Sequence, residues 1–326
     1  MNKSLKIVFF GTPEFATGVL QALQESPHEI VAVVTVPDKP AGRGRKINES
    51  DVKKYAVTHG LPVLQPHNLK AADFLKELAS FKADVQVVVA FRMLPKAVWK
   101  MPPMGTFNLH ASLLPQYRGA APINWVIINQ EKQTGVSTFF IDEKIDTGAI
   151  IATRETLIAP LENAGTLYNR LMNMGAQLTL KTVDAIAAGT VTTTIQKNHP
   201  HLKEAPKLTN ENTFIDFNKP AVTVDALIRG LYPYPVAKAV LFNEKNIDVK
   251  IHKSKVVEKS HKMTPGSLVL ENNQILVACA EDMIEIQEIQ LPNKKRMNVK
   301  DLLNGYTFAR EARFGKALGE TALKRL

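Results

Sequence analysis

One cysteine, Cys279, in 326 residues excludes an intrachain disulfide framework and any multi-cysteine zinc site. It sits in the strand-like run Ile275-Leu276-Val277-Ala278-Cys279-Ala280, where a buried structural thiol is favoured over a nucleophile. Long hydrophobic runs are also missing. None approaches the ~20 apolar residues that cross a bilayer. The run after Lys6 is shorter than the ~7–15 residues of a signal-peptide core. A cytoplasmic protein that does not enter the membrane is expected. The chain lacks a Gly-x-Gly-x-x-Gly turn, a Walker-type Gly-Lys-Ser/Thr loop, a Gly-x-Ser-x-Gly elbow and any recognised metal-ligand spacing. Nicotinamide binding, nucleotide hydrolysis, serine-hydrolase chemistry and a resident metal are therefore poor readings.

What is present points to a folded chain with two domains. Hydrophobic residues make up 45%, enough for two cores, and the 22% of charged residues form no long block of one sign. A net charge of +10 favours a polyanionic partner such as RNA without requiring one.

The first half alternates short apolar runs with helical patterns. Residues 5–10 read as a buried strand. Thr12 is expected to cap the next helix, with Pro13 in its first position and Phe15, Val19, Leu20 and Leu23 on its buried face. Further strands are expected over 30–36, 84–90, 106–110 and 136–141, and Ser50 is expected to cap a helix ending at Gly60. Continuous apolar runs separated by helices indicate a parallel sheet covered on both faces, with ligands outside its carboxyl ends. A long helix over 166–188 closes this half. The polar, proline-containing stretch 191–207 then reads as a linker. Beyond it a helix over 222–229 leads into strands over 237–242, 249–257, 267–270, 275–278 and 283–289, a pattern that suggests a small barrel of the oligonucleotide-binding type.

The stretch Asn108-Leu109-His110-Ala111-Ser112-Leu113-Leu114-Pro115 carries the chemistry best. In a strand, Asn108 and His110 share a face, and Ser112 continues it if the strand persists. Two polar groups at the mouth of a buried sheet are costly unless something uses them. An amide can donate to a developing oxyanion, and an imidazole can donate or shuttle a proton. Asp146, in the turn after the next strand, could hold the imidazole tautomer, although Asp-Thr-Gly is also common turn chemistry. The loop Pro37 to Lys46 carries four cations and two glycines. It reads either as a phosphate clamp or as a solvated charged loop.

Together these pieces resemble the methionyl-tRNA formyltransferases, within the wider group of enzymes that use 10-formyltetrahydrofolate. The run Asn108-x-His110-x-Ser112-Leu113-Leu114-Pro115-x-x-x-Gly119, with Asp146 downstream, resembles that group's catalytic signature. Phe9 to Ala16, the Pro40-Ala41-Gly42-Arg43-Gly44 loop, Arg118 to Pro122, Ala205 to Leu208 and Ile228 to Pro235 are similar to the tRNA-acting branch. The resemblance implies a Rossmann-like α/β formyl-transfer domain over 1–190, a linker over 191–207, and a small OB-like β-barrel over 208–326 that assists tRNA binding. It implies catalytic roles for Asn108, His110 and Asp146. It implies folate contacts from Ser112, Leu113, Leu114 and Pro115, with the pterin beside Phe91, Arg92 and Leu94. The tRNA contacts it implies are Lys39, Arg43, Arg45, Lys46 and Lys207. The expected formyl donor is 10-formyltetrahydrofolate and the expected acceptor is Met-charged initiator tRNA, with no metal and no obligate protein partner, so that the chain acts as a monomer. One departure is visible: Arg92-Met93 follow Phe91, where family members often carry a small and then an aliphatic residue. Rival readings are formylation of a small amine, hydrolysis of the formyl-folate, and RNA binding without catalysis.

Overall fold

A computed structural model describes residues 4–41, 46–197 and 200–316. The chain forms two compact units. One comprises Met1–Pro122, Gln133–Leu157 and Tyr168–Glu204; the other comprises Ile123–Lys132, Ile158–Leu167 and Ala205–Leu326.

The first unit is built on a seven-stranded sheet. Its strands are β1 (Lys6–Gly11), β2 (Glu29–Val34), β3 (Val63–Leu64), β4 (Val85–Val89), β5 (Thr106–His110), β6 (Gln133–Phe140) and β7 (Ile150–Leu157). Their spatial order is β7-β6-β5-β4-β1-β2-β3. Strands β1 to β5 are mutually parallel. Ile7, Val8, Phe9 and Phe10 are fully buried, as a strand covered on both faces requires. Each such side chain contributes roughly 1.5–3 kcal/mol on leaving water. The chain winds away from β1 through β2 and β3 on one side, and through β4 and β5 on the other. The switch point lies between β1 and β4, and β5 ends beside it.

Two expectations are corrected here. The run over 136–141 was expected to join the parallel set, yet β6 pairs antiparallel with β5, Phe107 opposite Phe140 and His110 opposite Ser137. A continuous apolar run reports burial on both faces, which an antiparallel strand inside a sheet shares with a parallel one. The helix after β1 begins at Glu14, one residue later than expected, and Thr12 does not cap it. The Phe15 N–H instead donates to the Tyr168 hydroxyl at 2.7 Å, a partner 153 residues away. Ser50 does cap the next helix, Asp51–Thr58, by accepting from the Lys53 N–H at 3.0 Å. The long helix runs Ala164–Ala188 and stops at Gly189, whose φ of +67° suits a residue without Cβ.

In the second unit a strongly bent antiparallel sheet nearly closes on itself. The order is Leu268–Glu271, Gln274–Ala278, Met283–Gln290, Ile247–Val257, Ala237–Phe242 and Arg313–Gly315. A bridge between Ser267 and Arg313 joins the two ends. Inward residues such as Ala239, Leu241, Val249, Ile251, Ile275 and Ile286 form one core with Val224, Ile228 and Leu231 of the helix Ala221–Leu231. Barrel closure removes the exposed edges that would otherwise invite pairing. The closing strand, three residues long, escapes a sequence reading because its Phe314 is the one fully buried anchor.

Cys279 lies in this core. Burial pushes its thiol up to about 12, because the thiolate would lose its hydration. A thiol-disulfide reagent at pH 8 is expected to leave the native protein untouched and to titrate one thiol after guanidinium unfolding. Rapid labelling of the native state would contradict the buried placement.

Candidate active site

Strand alternation builds the site. Phe107 and Leu109 turn into the packed face, at 0% and 3% exposure. Asn108 and His110 turn to the other. Asn108 is half-buried, and among the described residues no side-chain hydrogen bond engages its amide. His110 is buried, and its Nε2 donates to the Tyr117 carbonyl at 2.8 Å. A carbonyl can only accept, so Nε2 carries the proton and Nδ1 is the nitrogen open to protonation. That Nδ1 stands 3.8 Å from Asp146 Oδ2, beyond a hydrogen bond and within ion-pair range.

Asp146 reaches this position by an indirect path. Because β6 is antiparallel, its last residues lie beside the amino end of β5, with the Ile141 N–H donating to the Thr106 carbonyl at 2.8 Å. The turn over 142–148 must then double back by about 13 Å, four residues of strand rise, to bring a carboxylate to His110. It does so with Asp146 at φ +55°, a conformation that is strained for a residue with Cβ. Gly148 closes the return, since a Cβ there would meet the Phe140 carbonyl oxygen at 1.7 Å. The Gly119 N–H donates to Asp146 Oδ2 at 3.0 Å. Residues 117–119 thus touch the imidazole on one side and the carboxylate on the other.

The strand ends at His110, so Ser112 does not continue its face. The Ser112 hydroxyl is buried and donates to the Gln116 carbonyl at 2.6 Å. Its own carbonyl accepts from the Ser137 hydroxyl at 2.7 Å, and Ser137 Oγ in turn accepts from the Leu114 N–H at 3.2 Å. Ser137, hidden in an apolar run and not singled out by the sequence, therefore sets the course of the loop Leu113 to Pro115. In that loop Leu114 is buried, while Leu113 and Pro115 are half-buried.

On the neighbouring strand end, Phe91 packs against Phe10 with ring centroids 5.7 Å apart, and Leu94 is buried. Arg92, beside Phe91, is engaged by backbone carbonyls. Its guanidinium donates to the Pro66 carbonyl and, at 3.1 Å, to the His67 carbonyl, and it lies 5.5 Å from the Phe91 ring centroid. Burial holds this guanidinium below its ordinary range. At the departure Arg92-Met93, carbonyls of the 66–67 segment take up the Arg92 guanidinium, and Met93 is exposed.

Of the basic loop, Arg43, Arg45 and the side chain of Lys46 lie outside the described residues. Lys39 is exposed and opens a hairpin, Lys39–Ala41 with Lys46–Asn48. The hairpin root is fixed by Lys53, whose ammonium binds Asp38 before it and, at 2.7 Å, Glu49 after it. The Lys53 bond, seconded by Gln65, holds the Asp38 carboxyl below its ordinary range, and Lys53 is raised in turn. Lys207, in the second unit, is exposed.

A doubly wound sheet in which the interior strand β5 ends in an Asn-His pair with an imported carboxylate, together with an antiparallel barrel, defines a two-unit α/β enzyme. Residues 5–183 match the family described as formyl transferase, and residues 207–307 match the formyl transferase C-terminal domain. The chain belongs to the formyl transferase family. It is 51% identical over 313 residues to a methionyl-tRNA formyltransferase of Flavobacterium johnsoniae, covering 95% of this chain and 99% of that one. It is 47% identical over 311 residues to a methionyl-tRNA formyltransferase of Bacteroides fragilis, covering 94% and 96%. Among solved structures it is similar in fold to HypX from Aquifex aeolicus, with a TM-score of 0.62 and 18% identity, covering 92% of this chain and 47% of that one. A sugar 3N-formyl transferase, WlaRD, gives a TM-score of 0.63 at 21% identity, covering 90% of this chain and all of the other.

Proposed function

We propose that this protein transfers the formyl group of 10-formyltetrahydrofolate to the α-amine of methionine on initiator tRNA. The observation that carries the chemistry is the half-buried Asn108 amide, without a protein partner among the described residues, beside the His110–Asp146 pair at the sheet's ligand-binding end. The acceptor is supported by near-full-length likeness to proteins named methionyl-tRNA formyltransferase. A folate donor is supported by fold neighbours, HypX in complex with tetrahydrofolic acid and WlaRD with 5-N-formyl-THF.

In this reading the neutral amine attacks the formyl carbon, and a C–N bond forms. Asn108 donates its amide N–H to the oxygen as negative charge develops there. His110 Nδ1 takes the amine's proton with Asp146 as counter-charge, and returns it to the departing folate nitrogen as that C–N bond breaks. The loop Leu113 to Pro115 and the apolar wall of Phe91 and Leu94 orient the donor, bringing it in line with the amine. The barrel over 208–326, Lys207 and the loop from Lys39 to Lys46 hold the tRNA through its phosphates. Asp38, Lys53 and Glu49 fix the root of that loop. Such an enzyme works in the cytoplasm as a monomer.

The test offers the donor with Met-charged initiator or elongator tRNA and follows formyl-methionine. Selective formylation of the initiator is expected. No transfer to either by the folded protein would overturn the reading and leave a small-amine transferase or a hydrolase.

A further inference from the structure

We infer that Gln196 is a positioning residue for the His110–Asp146 pair. The inference rests on the formyl-transfer reading for its kinetic consequence, though not for its geometry. Gln196 lies in the polar stretch after the long helix, a stretch with no periodicity to mark it. Two residues earlier, Thr194 joins the edge of the sheet by exchanging both backbone hydrogen bonds with Ile150 at 2.8 Å. That pairing carries Gln196 inward, to 9% exposure.

There its side chain makes four hydrogen bonds. Oε1 accepts from Arg118 Nε at 3.0 Å and from Arg118 Nη2 at 2.7 Å. Nε2 donates to the Asp146 carbonyl at 3.0 Å and to the Gly148 carbonyl at 2.8 Å. The amide is fully satisfied in one orientation only. Flipped, it would set its NH2 against a guanidinium and its oxygen against two carbonyls. One side chain thus ties together two loops that meet at the imidazole. Arg118 sits between Tyr117, whose carbonyl accepts the His110 Nε2–H bond, and Gly119, whose N–H donates to the Asp146 carboxylate. The other two bonds clamp the returning turn on either side of Thr147, where Asp146 keeps its left-handed backbone. A strained conformation persists only when its surroundings over-determine it, and among the described residues Gln196 supplies the side-chain bonds to the carbonyls of 146 and 148. Releasing them lets the turn relax and the carboxylate drift from Nδ1.

The test is a double-mutant cycle of Gln196→Met, which keeps length and volume while removing all four bonds, with Asp146→Asn. In the wild-type background kcat is expected to fall about 10- to 100-fold, the scale of an ångström-sized misplacement, with KM for the donor little changed. In the Asp146→Asn background the further loss is expected to be within about threefold, because residues acting as a unit are not additive. Gln196→Glu keeps the acceptor for Arg118 and loses the donors to 146 and 148; it should share the kcat loss and serves if the methionine variant fails to fold. Losses that multiply in full, or an unchanged kcat in both single variants, would overturn the inference. A crystal structure of whichever variant folds gives a readout independent of turnover. The 146–148 turn should leave Gly119 and His110, and an unmoved carboxylate would refute the latch even if the wild-type protein proved inactive in formyl transfer.

Discussion

His110→Ala is expected to lower turnover at saturating substrates by at least ~100-fold, since in the proposed mechanism His110 is the proton carrier. The substitution also leaves the Tyr117 carbonyl without the N–H it accepts at 2.8 Å, in a buried setting. A stability loss of about 1–3 kcal/mol should accompany it, and a thermal melt will register this separately. Measuring kcat well below the variant's melting temperature isolates the chemical effect. Turnover within about tenfold of wild type, from folded variant, would mean that His110 is not the proton carrier.

Asn108→Leu should be the more selective lesion. Loss of one oxyanion donor costs ~10²–10³ in kcat. Yet the Asn108 amide is half-buried and has no side-chain hydrogen bond among the described residues, so replacing it strands no internal partner. The melting temperature should therefore hold, and substrate KM should change little, while kcat collapses. A variant that instead loses donor binding and keeps kcat would make Asn108 a ground-state contact. The contrast between the two variants, one losing activity with stability and the other activity alone, follows from which of the two side chains the resting protein already uses.

The Asn-His pair was legible because strand alternation is local: two polar residues spaced by two in an apolar run share a face whatever the rest of the chain does. The buried strands, the Ser50 cap and the stop at Gly189 were legible for the same reason, being set by neighbours within a few residues. What escaped depends on distant partners. The Thr12 cap gave way to Tyr168, and nothing near Pro13 announces a hydroxyl arriving from the long helix. Strand β7 went unread because it is an edge strand with Arg154 and Glu155 exposed, so its alternation is diluted. The direction of β6 left no local mark. Ser137 and Gln196 are ordinary polar residues whose weight comes wholly from what they touch. The bonds of the Arg92 guanidinium to the 66–67 carbonyls likewise follow only from three-dimensional proximity.

The reversal of β6 makes chain length a determinant of the His110–Asp146 spacing. In a purely parallel sheet, an acid after the next strand would emerge already at the ligand end, and its loop could lengthen freely. Here the connection leaves from the opposite end and must measure out its return, so the residue count from Ile141 to Asp146 acts as a ruler. One inserted residue adds up to ~3.6 Å of reach, comparable to the whole 3.8 Å between Asp146 and His110. Surface turns tolerate such insertions at little cost to folding. In this turn an insertion that the fold would absorb without complaint would part the acid from the imidazole, with every side chain of the site still in its original identity.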